Sequence, residues 1–418
     1  MRKTIFSLAS LMMLSATATA QQQVEGEVTM GPSYVNHVFY NLETQTEQAV
    51  AHDLWDIAFF RNGLMDYGIK INEAKDWELF EVGEITTYDN ISIDDADSWT
   101  QLYNPSTDYT KGAFDQASDN SQYAAGWGYY NTETHHIIGS RAFVLQNGDD
   151  AYVKIKIDDY FGGYTFTYAE WDGTAWGEDV EKTIANGDAD SYYNYYAFDT
   201  QDVVTVEPGK ETWDLLFAKY TDTYYHGENT TPNQVVTGVL ANPNIKIAKT
   251  TEDEASTTDL SEDMNVIGVA DWKFLNESYA WEVDSDINYF IKRNDEDTVY
   301  KINFTEFEGS STGVIRFMID NEATLDVEQV AEGVSFNVYP NPTTDKRIQV
   351  VYDITATNAA QNQITIYALN GAIVYQSGAE SQTGFYTQTL DLSQLTAGVY
   401  ILEFKSGNQS STKKIVLQ

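Results

Sequence analysis

The sequence contains no cysteine. That absence excludes disulfides, thiolate nucleophiles, cysteine zinc centres and thioether attachment of haem. Basic residues are scarce: 24 lysines and arginines stand against 64 aspartates and glutamates, a formal net charge of −40. A chain this acidic repels a phosphate backbone, which excludes nucleic acid as a partner. Long apolar runs are missing too. The longest, from Ile5 to about Ala16, falls far short of the roughly 20 residues that span a bilayer, so no transmembrane span is expected. Histidine occurs at five positions, His37, His52, His135, His136 and His226, with no HExxH pair and no three-histidine cluster. A zinc hydrolase is therefore unsupported.

What is present suits β-structure. The 418 residues are 42% hydrophobic and 14% aromatic, enough to core two or three domains. The 29 tyrosines, with frequent Val, Ile and Thr, favour sheet over helix. The start reads differently. Met1-Arg2-Lys3, the short apolar run and Ala18-Thr19-Ala20 make residues 1–20 a secretory signal peptide with cleavage after Ala20.

The mature chain repeats itself. Trp55-Asp56-Ile57-Ala58-Phe59 returns as Trp213-Asp214-Leu215-Leu216-Phe217, both short strands. Phe143 and Phe290 are 147 apart, and so are Lys154 and Lys301, which predicts two hairpins in common register. Trp55 and Trp213 are 158 apart, which puts a net insertion of 11 in the first copy. The reading is a duplicated antiparallel unit over 28–206 and 211–320. Residues 89–125 are read as a long exposed loop, and Tyr192 to Tyr196 as a half-buried strand.

Three motifs test for chemistry. Gly309-Ser310-Ser311-Thr312-Gly313 has the pattern of a nucleophile elbow, but a strand follows it and no histidine comes later, so a hairpin turn is expected. Asp284-Ser285-Asp286 starts like a calcium loop, yet Tyr289 holds the glycine position and Asp295 the final one. It is read as a solvated acidic edge, with calcium at an acidic loop as the alternative. His135-His136 precedes the strand at Arg141, and the 147 spacing sets Glu282 and Val283 opposite it, so the fold does not itself demand histidine there.

The Trp-Asp strands and the Tyr152 to Ile155 strand resemble the HmuY family of secreted Bacteroidetes proteins over roughly residues 50–320. The resemblance implies an all-β fold and, in some members, haem held by axial His or Met side chains. The candidate ligands here are His135 or His136, with His52 or Met65 as the second.

At the C-terminal end, Tyr339-Pro340-Asn341-Pro342, Ala397-Gly398-Val399-Tyr400 and Lys413-Lys414-Ile415-Val416 fall in a small antiparallel sandwich over 335–418. These motifs resemble the type A sorting domain of the type IX secretion system. That resemblance implies the secretion machinery as a partner, passage through the periplasm, and release or attachment at the outer-membrane surface. The expected function is a secreted or surface binding protein, not an enzyme. A structural surface protein or adhesin is the first alternative. A glycoside hydrolase is the second, although 64 acids make any carboxylate pair unspecific.

Overall fold

The computed structural model describes residues 23–326 and 334–418, apart from 62–66, 355–361 and scattered single or paired positions. The expected signal peptide and Met65 lie outside the described residues. The chain divides into two bodies, Met1–Asp326 and Val327–Gln418. Both are built almost wholly of antiparallel sheet, as the composition implies.

Eighteen strands of the first body form two sandwiches. In chain order they begin with β1 (Val24–Thr29), β2 (Asn36–Asn41), β3 (Thr46–Ala51), β4 (Ile57–Phe60), β5 (Ile69–Ile71) and β6 (Trp77–Glu84). There follow β7 (Arg141–Asn147), β8 (Ala151–Tyr160), β9 (Gly163–Glu170), β10 (Val180–Ala185), β11 (Tyr193–Ala197) and β12 (Asp202–Val204). The last six are β13 (Leu215–His226), β14 (Asn229–Ala241), β15 (Ile245–Thr250), β16 (Asn288–Arg293), β17 (Val299–Phe307) and β18 (Val314–Ala323).

The first sandwich sets an outer sheet, β10-β9-β8-β7-β6, over an inner sheet, β12-β11-β4-β5. The second sets β1-β18-β17-β16-β15 over β3-β2-β13-β14. The two orders coincide when β13 is laid on β4, and β1, β2 and β3 then take the places of β10, β11 and β12. The duplication is thus circularly permuted. The front of the chain supplies the last three strands of the second repeat, so the expected units 28–206 and 211–320 are corrected. The first repeat runs from the Trp55 strand to β12, and residues 24–51 belong with the second. No strand pattern in 24–51 names its partner, because a pairing between β1 and β18 across the whole body leaves no local trace.

The hydrogen bonds repeat as closely as the order. The Asp56 backbone N–H donates to Tyr196 O at 2.9 Å, and that of Asp214 to Tyr40 O at 2.8 Å. The Asp56 carboxylate accepts from Phe198 N at 2.7 Å, and that of Asp214 from Leu42 N at 2.7 Å. Asn72 donates its side-chain amide to Trp55 O and His52 O, and Asn242 does the same to Trp213 O and Lys210 O. Each Trp-Asp pair therefore staples the start of its strand to the neighbouring strand end and to the next turn. Trp55 and Trp213 are both buried, as the motif predicts.

The register is correct for one strand of each hairpin. Ile155 pairs with Phe143 and Ile302 with Tyr289, so β8 and β17 keep the spacing of 147 while β7 and β16 are 146 apart. Both outer sheets carry a bulge at the same place, after Ile157 and after Phe304. Phe290 is therefore not the counterpart of Phe143. A slip of one residue turns a side chain to the other face, and Phe290 packs outside with Ala248 and Val299 while Phe143 fills the first core.

The inner sheets are covered on both faces. Ile57 and Phe59 point into the first core with Phe166 and Tyr164. Ala58 and Phe60 share the second core with Tyr193, Phe39 and Leu216. This is why Tyr192 to Tyr196 is buried throughout and not on one side alone. Residues 89–125 are not a long exposed loop either. They hold short 3-10 turns and the strand Thr100–Leu102, and they bury Leu102, Tyr109, Ala113 and Phe114.

The second body is a sandwich of β19 (Val334–Tyr339), β20 (Arg347–Ile354), β21 (Asn362–Ala368), β22 (Ile373–Ala379), β23 (Gly384–Asp391), β24 (Gly398–Ser406) and β25 (Gln409–Leu417). Its sheets are β19-β20-β23 and β22-β21-β24-β25, closed over Ile348, Val350, Ile364, Leu402 and Phe404. Two of the sequence motifs meet here. The Asn341 amide donates to Lys414 O at 2.8 Å, and its carbonyl accepts from Val416 N at 2.8 Å. The Tyr-Pro-Asn-Pro segment therefore clamps the Lys-Lys-Ile-Val strand.

Candidate functional site

Of the expected haem ligands, His135, His136 and His52 sit in separate settings, and Met65 lies outside the described residues. His135 lies in the left-handed region at φ 64, with Nδ1 2.6 Å from the Tyr130 hydroxyl. The His136 ring stacks on Phe161 at 4.5 Å, and its Nδ1 is 2.7 Å from the Asp159 carboxylate. His52 packs instead beside His37, with ring centroids 6.2 Å apart. Among the described residues no contact joins His52 to His135 or His136. Burial, with Lys219 nearby, lowers the His52 pKa, and burial beside His52 takes His37 down to about 3, which keeps His37 neutral.

The other motifs settle as structure. Gly309 to Gly313 turns β17 into β18, with both glycines at φ 73, where a side chain would be strained. Asp284 accepts the Asp286 backbone N–H in a local turn. Among the described residues no group of three His, Asp or Glu side chains is placed to hold a metal ion.

Between the two inner sheets lies a polar seam that the sequence did not point to. The Glu207 carboxylate accepts the backbone N–H groups of Tyr192 and Tyr193 at 3.0 and 3.1 Å, and the hydroxyls of Tyr109 and Tyr195. Burial raises its pKa to about 7 despite those donors. The Lys70 ammonium sits 3.9 Å from the Tyr109 ring centroid, and burial brings it down to about 8. A cavity of about 80 Å³ beside Lys70 and Glu73 has room for a few waters. The seam joins the sandwiches and leaves little space for a ligand.

A site-like cleft lies in the second sandwich, where the repeat is broken. From Trp55 to Asn72 is 17 positions, but from Trp213 to Asn242 is 29, and the extra 12 lengthen the β13–β14 hairpin. The extension and the connection before β16 wall a cleft of about 690 Å³. Tyr224, Tyr225 and Val235 come from the hairpin, and Phe274 and Trp281 from the short strands Lys273–Leu275 and Trp281–Val283. Tyr225 and Phe274 are about half exposed on its walls, at 49% and 46%.

Lys273 lies on this cleft. It is only 7% exposed, and its ammonium sits 5.0 to 5.4 Å from the rings of Trp272, Phe307 and Trp281. It donates a hydrogen bond to Val269 O. Burial brings its pKa down to about 7. Such a lysine is costly to bury without a counter-ion, and clustered aromatics with a perturbed charge in a cleft are the usual marks of a binding site. Within Asp271-Trp272-Lys273-Phe274 no motif singles the lysine out. The available signals were the longer hairpin, the Tyr224-Tyr225 pair and a rare base set among aromatics.

A search of curated proteins finds no match to this chain. Residues 337–418 match the family described as Secretion system C-terminal sorting domain. The match does not reach residues 50–320, so the resemblance to HmuY proteins gains no support there. The tail carries the address expected from its motifs: residues 337–418 are a type IX secretion sorting domain, and the protein is exported to the cell surface or beyond.

Proposed function

We propose that the body over residues 24–326 is a ligand-binding protein of the cell exterior and that the cleft beside Lys273 is its binding site. One observation carries this reading. The two sandwiches share their strand order, staples and bulge, and the cleft is made by residues that depart from that plan. Extra chain that shapes a concave, aromatic-lined space of a size typical for ligands, roughly 300–1,000 Å³, serves binding better than it serves a repeat frame. A structural surface protein has no need of it. The test is titration of the exported protein with the neutral dye Nile red. Saturable binding is expected, weakened about tenfold when Tyr225 and Phe274 are both replaced by alanine. Failure to bind, or binding indifferent to that double change, would sink the assignment.

A second reading, haem held through His136, follows from the HmuY resemblance and draws on one feature. Asp159 engages Nδ1 of His136 and leaves Nε2, the arrangement that orients a ligating imidazole, and the exposed ring of Phe161 lies against it. A haemin titration followed by visible absorption, with His136→Ala alongside, decides it. A shifted band lost in the variant supports haem, and no shift in the wild type removes it.

A further inference from the structure

We infer that the cleft takes an amphipathic carboxylate, with the acid group meeting Lys273 and an apolar or aromatic body lying on Trp281, Phe274 and Tyr225. This rests on the cleft being the binding site and adds the chemistry of its ligand. The ammonium of Lys273 has three N–H donors, and among the described residues only Val269 O takes one. Among the described lining residues the carboxylate is Asp271, and it pairs with Lys249. Among the described residues the cleft therefore offers a desolvated cation without a counter-ion of its own. An aromatic cage of this kind favours a cation, but its rings supply no counter-charge. An incoming carboxylate does. It supplies the missing charge in a site with little water, where a charge-assisted hydrogen bond is strong. The walls set the rest of the ligand. Trp281, Phe307, Phe274, Val235 and Tyr225 give apolar surface, and Thr223, Gln234 and Thr237 place a few polar groups at the side. A chain of net charge −40 repels anions in general, so Lys273 selects for a ligand whose apolar body also fits.

The experiment uses the exported protein and two probes of one shape, 2-naphthoate and its neutral amide, by fluorescence titration. Wild type is expected to bind the carboxylate about tenfold or more tightly than the amide. In Lys273→Met, which keeps the apolar stem, the two should bind alike. The carboxylate affinity of wild type should also fall as pH rises through about 7, as Lys273 loses its proton, and that fall should be absent in the variant. The other titratable groups on the lining are Asp271, held by Lys249, and Tyr34, Tyr224 and Tyr225. Galacturonate and laurate as competitors tell a sugar acid from a fatty acid, and displacement of the naphthoate by either supports the inference. Equal binding of carboxylate and amide by wild type would overturn the inference while leaving the cleft as a neutral site. Binding of neither probe would overturn the cleft assignment with it.

Discussion

The two sandwiches are one plan executed twice, and they differ in how they close. The first is contiguous: the chain leaves β9, forms β10, then returns through β11 and β12 to the inner sheet. The second ends at β18, and the places of those strands are filled by β1, β2 and β3 from the front of the chain. The energetics of the staple differ as well. Asp56 is matched by Lys75, 27% exposed, and by the indole N–H of Trp77. Asp214 faces Arg293, 11% exposed, which reaches it through Nε at 2.6 Å and a second nitrogen at 3.0 Å. That pairing raises the already high pKa of Arg293. Shared strand order therefore reports what the fold requires, and the departures report where something else was required. The lengthened β13–β14 hairpin is the clearest of these.

Breaking the closure should have the largest effect. Deleting residues 24–51 removes Val28, Val38, Phe39, Tyr40 and Leu42 from the core and leaves edges of β18 and β13 unpaired. At about 1.5–3 kcal/mol for each side chain, the loss is on the order of the whole stability of a domain. The variant should lose its cooperative thermal transition. Grafting residues 24–51 after Asp326 through a short linker should restore it, since β1 runs antiparallel to β18 with Val24 opposite Ile319. A deleted protein that melts like wild type would contradict the permuted repeat.

The staples offer a sharper contrast. Asp214→Ala leaves Arg293 buried without its main partner and should cost about 3–5 kcal/mol. Asp56→Ala frees Lys75, which can turn to solvent, and should cost about 1–3 kcal/mol through lost hydrogen bonds. Denaturant unfolding of both variants measures the difference, and equal losses would mean that the two staples work alike.

The last contrast is in pH. Glu207 is raised to about 7 in the fold, so between its ordinary range and about 7 the folded state holds more protons than the unfolded one. Stability from this group falls as pH rises across that window. Lys273 is lowered to about 7, so the folded state holds fewer protons above that value, and stability rises with pH towards the ordinary lysine range. Chemical denaturation at a series of pH values should show the acid-side fall flattened in Glu207→Gln and the alkaline rise flattened in Lys273→Met.

Part of this was legible in the residues. The Trp-Asp strands, the Lys154–Lys301 register and the tail motifs depend on local pattern, and each identifies its own strand and turn. The Phe143–Phe290 match misled because a matched letter does not report which face a residue takes when its hairpin turn differs in length. Tyr192 to Tyr196 was expected on a half-buried strand because nothing in that segment reveals a second layer above it. His135 and His136 drew attention as a rare pair, and the structure gives them separate partners in Tyr130 and Asp159.

By itself the sequence determined the class and the destination. Alternating β-formers around turn residues force sheet, an excess of 40 negative charges sets what the surface repels, and the sorting motifs are read as contiguous chain. Tertiary structure alone decided that residues 24–51 complete the second sandwich, that Asp56 and Asp214 are staples, and that Lys273 stands caged by rings from three separate segments. Those outcomes rest on contacts between residues far apart in the chain, up to the pairing of Val24 with Ile319. Such contacts are selected by the burial of whole faces, and no single stretch of sequence encodes a whole face.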